Sequence, residues 1–163
     1  MTTTDTPTRW LTPEELASFL PLAGVMLRLG PTLDSQLQRD SELTHFDYLC
    51  LAMLSEQEDW TLTMSALAAK TNSSLSRLSH VITKLEKRGW VSRARSEESR
   101  RVTLVTMTEP GYAVLVDAAP KHVGFVYSLI YDGLSAEDIE SLRRIMTHVL
   151  ERIEGSGLKS TVC

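Results

Sequence analysis

Residues 72–90, NSSLSRLSHVITKLEKRGW, combine an apolar stripe with a basic, hydrogen-bonding face at helical spacing. Four apolar residues fall at positions i, i+3, i+4 and i+7 and so share one face of an α-helix: Leu78, Val81, Ile82 and Leu85. Ser74 can cap the start of this helix, and Gly89 can end it. None of the residues expected to be exposed is acidic, namely Ser76, Arg77, Ser79, His80, Thr83, Lys84 and Lys87. Such a face indicates an anionic partner.

The basic residues of the chain are concentrated around this helix. The net charge of the whole chain is -4. Residues 70–101 nevertheless hold nine Lys and Arg against three Glu, a balance of +6, so the rest of the chain carries -10. A basic segment in an otherwise acidic chain is typical of a protein that binds nucleic acid through one surface.

Length and composition predict one soluble globular domain. The chain has 163 residues, of which 42% are hydrophobic and 23% charged. No apolar run approaches the ~20 residues that span a bilayer, and the N-terminus MTTTDTPTRW lacks the charged-then-apolar order of a secretion signal. We therefore expect a cytoplasmic protein that does not contact a membrane.

The residues that could carry chemistry do not form a catalytic or metal-binding pattern. Cys50 and Cys163 cannot build a disulfide framework, and Cys50 lies in an apolar run, which favours a buried side chain over a redox switch. The four histidines lack the spacing that brings three or four metal ligands together. The sequence shows no nucleophile with an evident base, no Gly-rich phosphate loop and no paired-carboxylate motif. We predict a protein that is not an enzyme and has no metal or cofactor.

Helix-start signals predict a mainly helical chain. Six residues can cap helices, and they are Thr12, Thr44, Thr63, Ser74, Thr108 and Ser135. The longest predicted helices span residues 13–38, 109–131 and 136–154. Prolines should interrupt or kink the first of these helices at Pro21 and Pro31, and kink the second at Pro120.

The segment after Gly89 changes from helical to extended spacing. WVSRAR and RVTLVTM read as two short strands around the charged turn SEESR. The short helix after Thr63, the turn at residues 70–73 and the helix after Ser74 together predict a helix-turn-helix that the hairpin follows.

The order of these elements resembles the MarR family of bacterial winged helix-turn-helix regulators. The resemblance covers nearly the whole chain and is densest from Thr63 to Gly111. It is carried by Leu67-Ala68, the Leu78/Leu85 spacing, Glu86-Lys87-Arg88-Gly89-Trp90-Val91, the Arg-Arg-Val of the wing and Met107-Thr108-Glu109-Pro110-Gly111. The chain departs from the family pattern at Ser99, where relatives usually have an Asp.

The resemblance implies a mainly α (α+β) fold in a single domain over residues 1–163. The winged helix-turn-helix, with its two-stranded β-wing, would occupy residues 44–108, between dimerisation helices at about 12–40 and 109–155. Residues 1–10 and 156–163 are expected to be flexible. The implied function is that of a homodimeric repressor that binds a palindromic operator in double-stranded DNA. Its recognition helices would enter the major groove, and its wings would reach the minor groove.

The resemblance implies DNA-binding residues on the recognition helix and on the wing. Serines near the helix start suit phosphates or base edges, Arg77 can fork onto guanine, and wing arginines suit the narrow minor groove. Other cations supply charge towards the phosphates. The complete set is Ser74, Ser76, Arg77, Ser79, His80, Lys84, Lys87, Arg93, Arg95, Arg100 and Arg101.

Many members of the family also bind small aromatic or phenolic effectors in a cleft beside the winged domain. Residues that could line such a cleft are Leu29, His45, Tyr48, Trp60 and Tyr112, although residues at such spacings more often belong to the core. An alternative to DNA binding is a helical dimer whose basic face binds an acidic protein partner. The two functions differ in salt dependence and in the effect of replacing Arg77.

Overall fold

The computed structural model describes residues 8–156, which form six α-helices, one π-helical segment and three β-strands. In chain order they are α1 (Pro13–Ser41), α2 (His45–Ser55), β1 (Thr61–Thr63), α3 (Met64–Lys70), α4 (Leu75–Lys87), β2 (Val91–Arg95), β3 (Thr103–Met107), α5 (Glu109–Val126), the π-helix Tyr127–Tyr131 and α6 (Ala136–Gly155). These elements belong to two compact units, the first ending at Thr32 and the second beginning at Leu33. The predicted flexibility of residues 1–7 and 157–163, which include Cys163, concerns positions outside the described residues.

The helices begin where the sequence predicts. Each of the six predicted caps accepts a hydrogen bond at 3.0–3.2 Å from a backbone N–H in the first turn of its helix. At α2, the Asp47 carboxylate also accepts from the Thr44 amide at 2.9 Å, which completes a capping box. These contacts satisfy amide groups that have no partner within the helix.

Pro21, Pro31 and Pro120 do not end their helices, and the predicted kinks stay predictions. α1 is not interrupted at Pro21 or Pro31 and continues to Ser41, and α5 continues through Pro120 to Val126. Each proline removes one amide donor, but the helix continues on both sides of it. Beyond Pro31, burial of Leu33 and Leu37 in the core of the second unit also holds α1 in helical form.

The predicted hairpin is present and belongs to a three-stranded sheet. β2 and β3 pair antiparallel, with Val91 opposite Met107 and Arg95 opposite Thr103. β1, which the sequence analysis did not predict, pairs antiparallel with the other edge of β3. A strand of three residues is too short to show a recognisable alternation of polar and apolar residues in the sequence. β1 is stabilised by its pairing with β3.

The core of the second unit lies beneath α4 and the sheet. Leu78, Ile82 and Leu85 of α4 are fully buried, as the apolar stripe predicts, and Val81 is half-buried. They belong to a cluster with Leu51 and other buried residues of α2, α3, α5 and the sheet. This packing fixes which face of α4 is turned to solvent.

Two helices are more apolar than the sequence analysis expected. By length and composition alone, Pro13–Ser41 and Glu109–Tyr131 could cross a membrane, which corrects the statement that no apolar stretch approaches that length. The same test is met by core helices of soluble proteins. An apolar helix that packs on another protein subunit would meet it as well.

Candidate nucleic-acid interface

The exposed face of α4 carries five of the eleven residues predicted to bind DNA. Ser76, Arg77, Ser79, His80 and Lys87 are all exposed. Ser74 precedes the helix, and its hydroxyl accepts from the amide of Arg77 at 3.2 Å, so its first role is that of the cap. α4 therefore presents hydroxyl, imidazole and cationic groups together to solvent.

Arg77 is held by an aromatic ring of α2. Its guanidinium carbon lies 4.4 Å from the centre of the Phe46 ring. A cation over an aromatic face is attracted by the negative charge on that face. Because the guanidinium is planar, such stacking leaves its N–H groups free at the edge. Phe46, which the sequence analysis did not select, thus restricts Arg77 without using its hydrogen bonds.

Lys84 differs from the other cations of α4 because it is paired with a buried carboxylate. Its ammonium group donates to the carboxylate of Asp47, whose side chain is only 1% exposed. The Lys84 side chain is 42% exposed. The sequence places these residues 37 positions apart, so no local pattern could have revealed the pair.

Two of the hairpin arginines are also engaged within the chain. Arg93 donates to the carboxylate of Glu86 through two nitrogens, at 2.5 and 3.0 Å. The hydrogen bond from Arg93 lowers the pKa of Glu86, a residue on α4 to which the sequence analysis gave no role in the site. Arg95 donates to the Arg100 carbonyl at 3.1 Å. These bonds connect α4 to β2 and connect the two sides of the hairpin.

The tip of the hairpin exposes Arg100 and Arg101. Its turn is closed by hydrogen bonds from the Ser96 amide to the Val102 carbonyl and from the Val102 amide to the Ser99 carbonyl, at 3.0 and 2.9 Å. The backbone of Ser99 thus contributes to the turn. The two arginines extend the basic surface beyond α4.

Four of the residues predicted to bind an effector make aromatic ring contacts. His45 and Tyr48 lie near the buried His122, with ring centroids 5.6 and 4.4 Å from the His122 ring. Trp60 instead stacks on Tyr112, with centroids 4.6 Å apart. Leu29 belongs to the first unit.

The cluster around His122 contains polar residues that the sequence analysis missed. Gln36 donates from its amide nitrogen to the Asp40 carboxylate at 2.9 Å, which fixes the orientation of its amide group. The Gln36 amide oxygen then lies 2.8 Å from His122 Nδ1. Because an amide oxygen only accepts, Nδ1 must carry the proton. Gln36 and His122 are 2% and 4% exposed, so this bond is a buried link between α1 and α5.

We expect the protein to lose stability as the pH falls below about 6.5. Burial lowers the pKa of His122, and the charge of His45 lowers it further; burial also lowers the pKa of His45, although Asp34 opposes this shift. Between the lowered pKa values and the ordinary value of 6.5, the unfolded chain binds more protons than the folded chain. The stabilisation is therefore complete above that window and is lost as the pH falls through it. Urea unfolding at a series of pH values measures the effect.

The matched controls for this measurement are two single substitutions. His122→Gln should make stability less dependent on pH in this window, whereas His148→Gln, at an exposed position on α6, should keep the wild-type dependence. Equal pH dependence in His122→Gln and the wild type would contradict the assignment.

An open cavity of about 600 Å³ lies elsewhere in the second unit. None of the five residues predicted to bind an effector lines it. Its lining consists of Ser41, Glu42, Arg88, Trp90, Ala113, Val114 and Asp117.

Cys50 has the surroundings of a core residue. It is fully buried, and burial, with a further contribution from the charge of Asp47, raises the pKa of its thiol to about 12. A thiol with so high a pKa contains almost no thiolate at neutral pH, which is the reactive form. The structure thus favours the buried hydrophobe over the redox switch. Among residues 8–156, no three His, Cys, Asp or Glu side chains are grouped to hold a metal ion.

Solved structures of bacterial regulators share this architecture. Sco3205, a MarR family transcriptional regulator from Streptomyces coelicolor solved in complex with DNA, is 38% identical with a TM-score of 0.85; the match covers 88% of this chain and 94% of that chain. AbsC, a MarR family regulator from the same organism, is 36% identical with a TM-score of 0.85 and coverages of 91% and 99%.

Sequence comparisons agree with the structural ones. The profile of the MarR family matches residues 43–103. The organic hydroperoxide resistance transcriptional regulator of Bacillus subtilis is 31% identical over 111 residues, which are 68% of this chain and 72% of that protein. The transcriptional repressor MprA of Escherichia coli is 28% identical over 107 residues, 66% of this chain but only 60% of the repressor's length. The winged helix-turn-helix architecture and these similarities together show that the chain belongs to the MarR family.

Proposed function

We propose that the chain is a sequence-specific, double-stranded-DNA-binding transcriptional regulator that acts as a homodimeric repressor at a palindromic operator. The observation that carries this proposal is the exposed face of α4, where hydroxyl, imidazole and cationic groups lie beside a basic hairpin. Support also comes from Sco3205, a similar protein whose structure was solved with DNA. We infer that the protein acts by binding rather than catalysis, in the cytoplasm, where bacterial DNA is found.

The geometry of α4 suits the major groove. Its start is capped, and the first two turns expose Ser76, Arg77, Ser79 and His80. Residues near the start of a recognition helix commonly contact base edges. Arg77, held over Phe46 with its N–H groups free, can bond to the O6 and N7 atoms of a guanine. Lys87, at the last turn of α4, lies further from such contacts and would meet phosphates.

The hairpin supplies the second contact with DNA. Arg100 and Arg101 are exposed at its tip, and arginine side chains suit the negative potential of a narrow minor groove. Arg93 and Arg95 are held by Glu86 and by the Arg100 carbonyl, so we assign them to general charge and to the shape of the hairpin.

The terminal helices require a partner, which we infer to be a second copy of the chain. α6 has 20 residues and none of them is buried. A helix with apolar residues at Ile139, Ile145, Leu150 and Ile153 gains its stability chiefly by burying them. A two-fold dimer would place two α4 helices about one DNA turn apart, ~10 bp, which matches a palindrome. Sedimentation velocity should therefore give the mass of a dimer.

Release by a small aromatic or phenolic effector stays a prediction. His45 and Tyr48 provide half-buried aromatic groups beside the polar cluster of Gln36 and His122. An effector would weaken DNA binding only if it bound more tightly to a dimer with wrongly spaced α4 helices. The alternative of an acidic protein partner is less favoured, because the solved structures of similar fold include a regulator in complex with DNA.

The proposal is tested by comparing two cations of α4. Arg77→Ala should cost about 1–3 kcal/mol of binding to the preferred duplex and relax base preference at one position per half-site. Lys87→Ala should weaken binding to all duplexes alike and reduce the salt dependence. Titrations against matched and mismatched duplexes at several salt concentrations measure both effects. Equal losses in both variants on every duplex would contradict base reading by Arg77.

A further inference from the structure

Asp47 is a residue of α2, and its buried carboxylate faces α4. One of its oxygens, Oδ2, accepts from the Thr44 amide at 2.9 Å and also from the ammonium group of Lys84. The other, Oδ1, is buried and has no hydrogen-bond partner among the described residues. A buried carboxylate is costly unless a cation and hydrogen bonds compensate its charge. Lys84 is therefore the cation on which the buried Asp47 depends.

The contact between Asp47 and Lys84 has a neighbour. Two adjacent residues of α2 each contact a cation of α4. Phe46 lies under Arg77, and Asp47 binds Lys84. Because Arg77 and Lys84 are seven residues apart, they differ by only about 20° around the helix axis. They therefore lie along one edge of α4, the edge that meets α2. Two attachments along one edge restrict rotation of α4 about its own axis.

Three other polar residues of α4 lie beside this edge, towards the solvent. Ser76, His80 and Lys87 are exposed, and at 100° per residue they fall within about 40° of one another and about 40–100° from Arg77 and Lys84. Any rotation of α4 about its axis would change which of these groups meets a base. The direction in which they point thus depends on the attachment to α2 as well as on the buried apolar face of α4.

We propose that Asp47, acting through Lys84, is a positioning residue that sets the orientation of α4 for sequence-specific DNA reading. This inference rests on the proposed function of α4 as the recognition helix. Lys84 then stabilises the buried carboxylate instead of reading DNA, which revises the role that its position in the sequence suggests. Specificity depends on a residue of α2 that does not itself face the DNA.

The two possible roles of Lys84 make opposite predictions for Asp47. If Lys84 contacted a phosphate, Lys84→Met would reduce the salt dependence by about one unit and weaken all duplexes alike. Asp47→Asn would then release Lys84 and leave sequence preference intact. If Asp47 positions α4, both substitutions should lower the ratio of affinities for preferred and random duplexes, by about tenfold.

The experiment compares the wild type, Asp47→Asn, Lys84→Met, the double variant carrying both, and Lys87→Met as an exposed control on the same helix. Affinities for the preferred duplex and for a random duplex are measured at several salt concentrations. We expect the double variant to lose no more specificity than either single variant, because both act on the same contact. Lys87→Met should weaken both duplexes alike. Thermal unfolding of each variant checks that it folds.

A variant that fails to fold is replaced by Asp47→Leu combined with Lys84→Met. This pair removes both charges together, so no buried charge is left unpaired. We expect it to fold and to lose the same specificity. Asp47→Asn with wild-type specificity would overturn the positioning role while leaving the proposed function intact. If the wild type bound all duplexes with the same affinity, both the proposed function and this inference would be wrong.

Discussion

Replacing Gly111 by alanine is expected to destabilise the protein by about 3 kcal/mol, the upper part of the range for overpacking a well-packed site. A Cβ atom at this position would lie 2.1 Å from the carbonyl oxygen of Trp90 and 2.9 Å from its carbonyl carbon. Both are backbone atoms, so no side-chain rotation can relieve the clash. The same carbonyl accepts from the amide of Thr108 at 3.0 Å, which holds the start of α5 against the residue before β2. Chemical denaturation measures the loss.

Gly124 provides the control on the same helix. A Cβ atom there meets nothing within 4 Å, so Gly124→Ala should stabilise the protein by about 0.5–1 kcal/mol through reduced freedom of the unfolded chain. If Gly111→Ala were as stable as the wild type, the close approach between α5 and Trp90 would be wrong.

The second large effect concerns the buried face of α4. Leu78→Ala should cost about 2–5 kcal/mol of unfolding free energy, because Leu78 is fully buried and its truncation leaves a cavity in the core. Leu75 begins the same helix but is 55% exposed, so Leu75→Ala should change stability by no more than about 0.5 kcal/mol.

Unfolding of the two leucine variants in urea tests the orientation of α4. Both remove the same atoms from the same helix, so the difference between them reports burial alone. Similar losses from Leu75→Ala and Leu78→Ala would mean that α4 is rotated relative to the structure, and that the face assigned to DNA is not the exposed one.

Local signals predicted the helices well because caps act within a few residues. Thr44 and Ser135 form capping boxes with the acidic residues three positions later, as their spacing predicts. Elements that depend on distant partners were missed. β1 is held by pairing with β3, and the π-helix Tyr127–Tyr131 ends α5 without any cap signal that the sequence analysis had recognised.

In the candidate site, too, the features set by local sequence were predicted and the contacts between distant residues were missed. The periodicity of α4 predicted which side would be exposed, since Leu78 and Ile82 are buried and Ser76 and His80 are not. Periodicity could not show that Lys84 is bound to Asp47, because that contact joins residues far apart in the chain. The same limit applies to the buried bond between Gln36 and His122.

The most direct test of the central claim is selection of bound duplexes from a random library, followed by affinity measurements on the best sequence at several salt concentrations. The account predicts enrichment of a near-palindrome with half-sites about 10 bp apart and an affinity that falls steeply with salt. Failure of the unliganded protein to enrich any sequence would contradict it and would favour an acidic protein partner for the basic face.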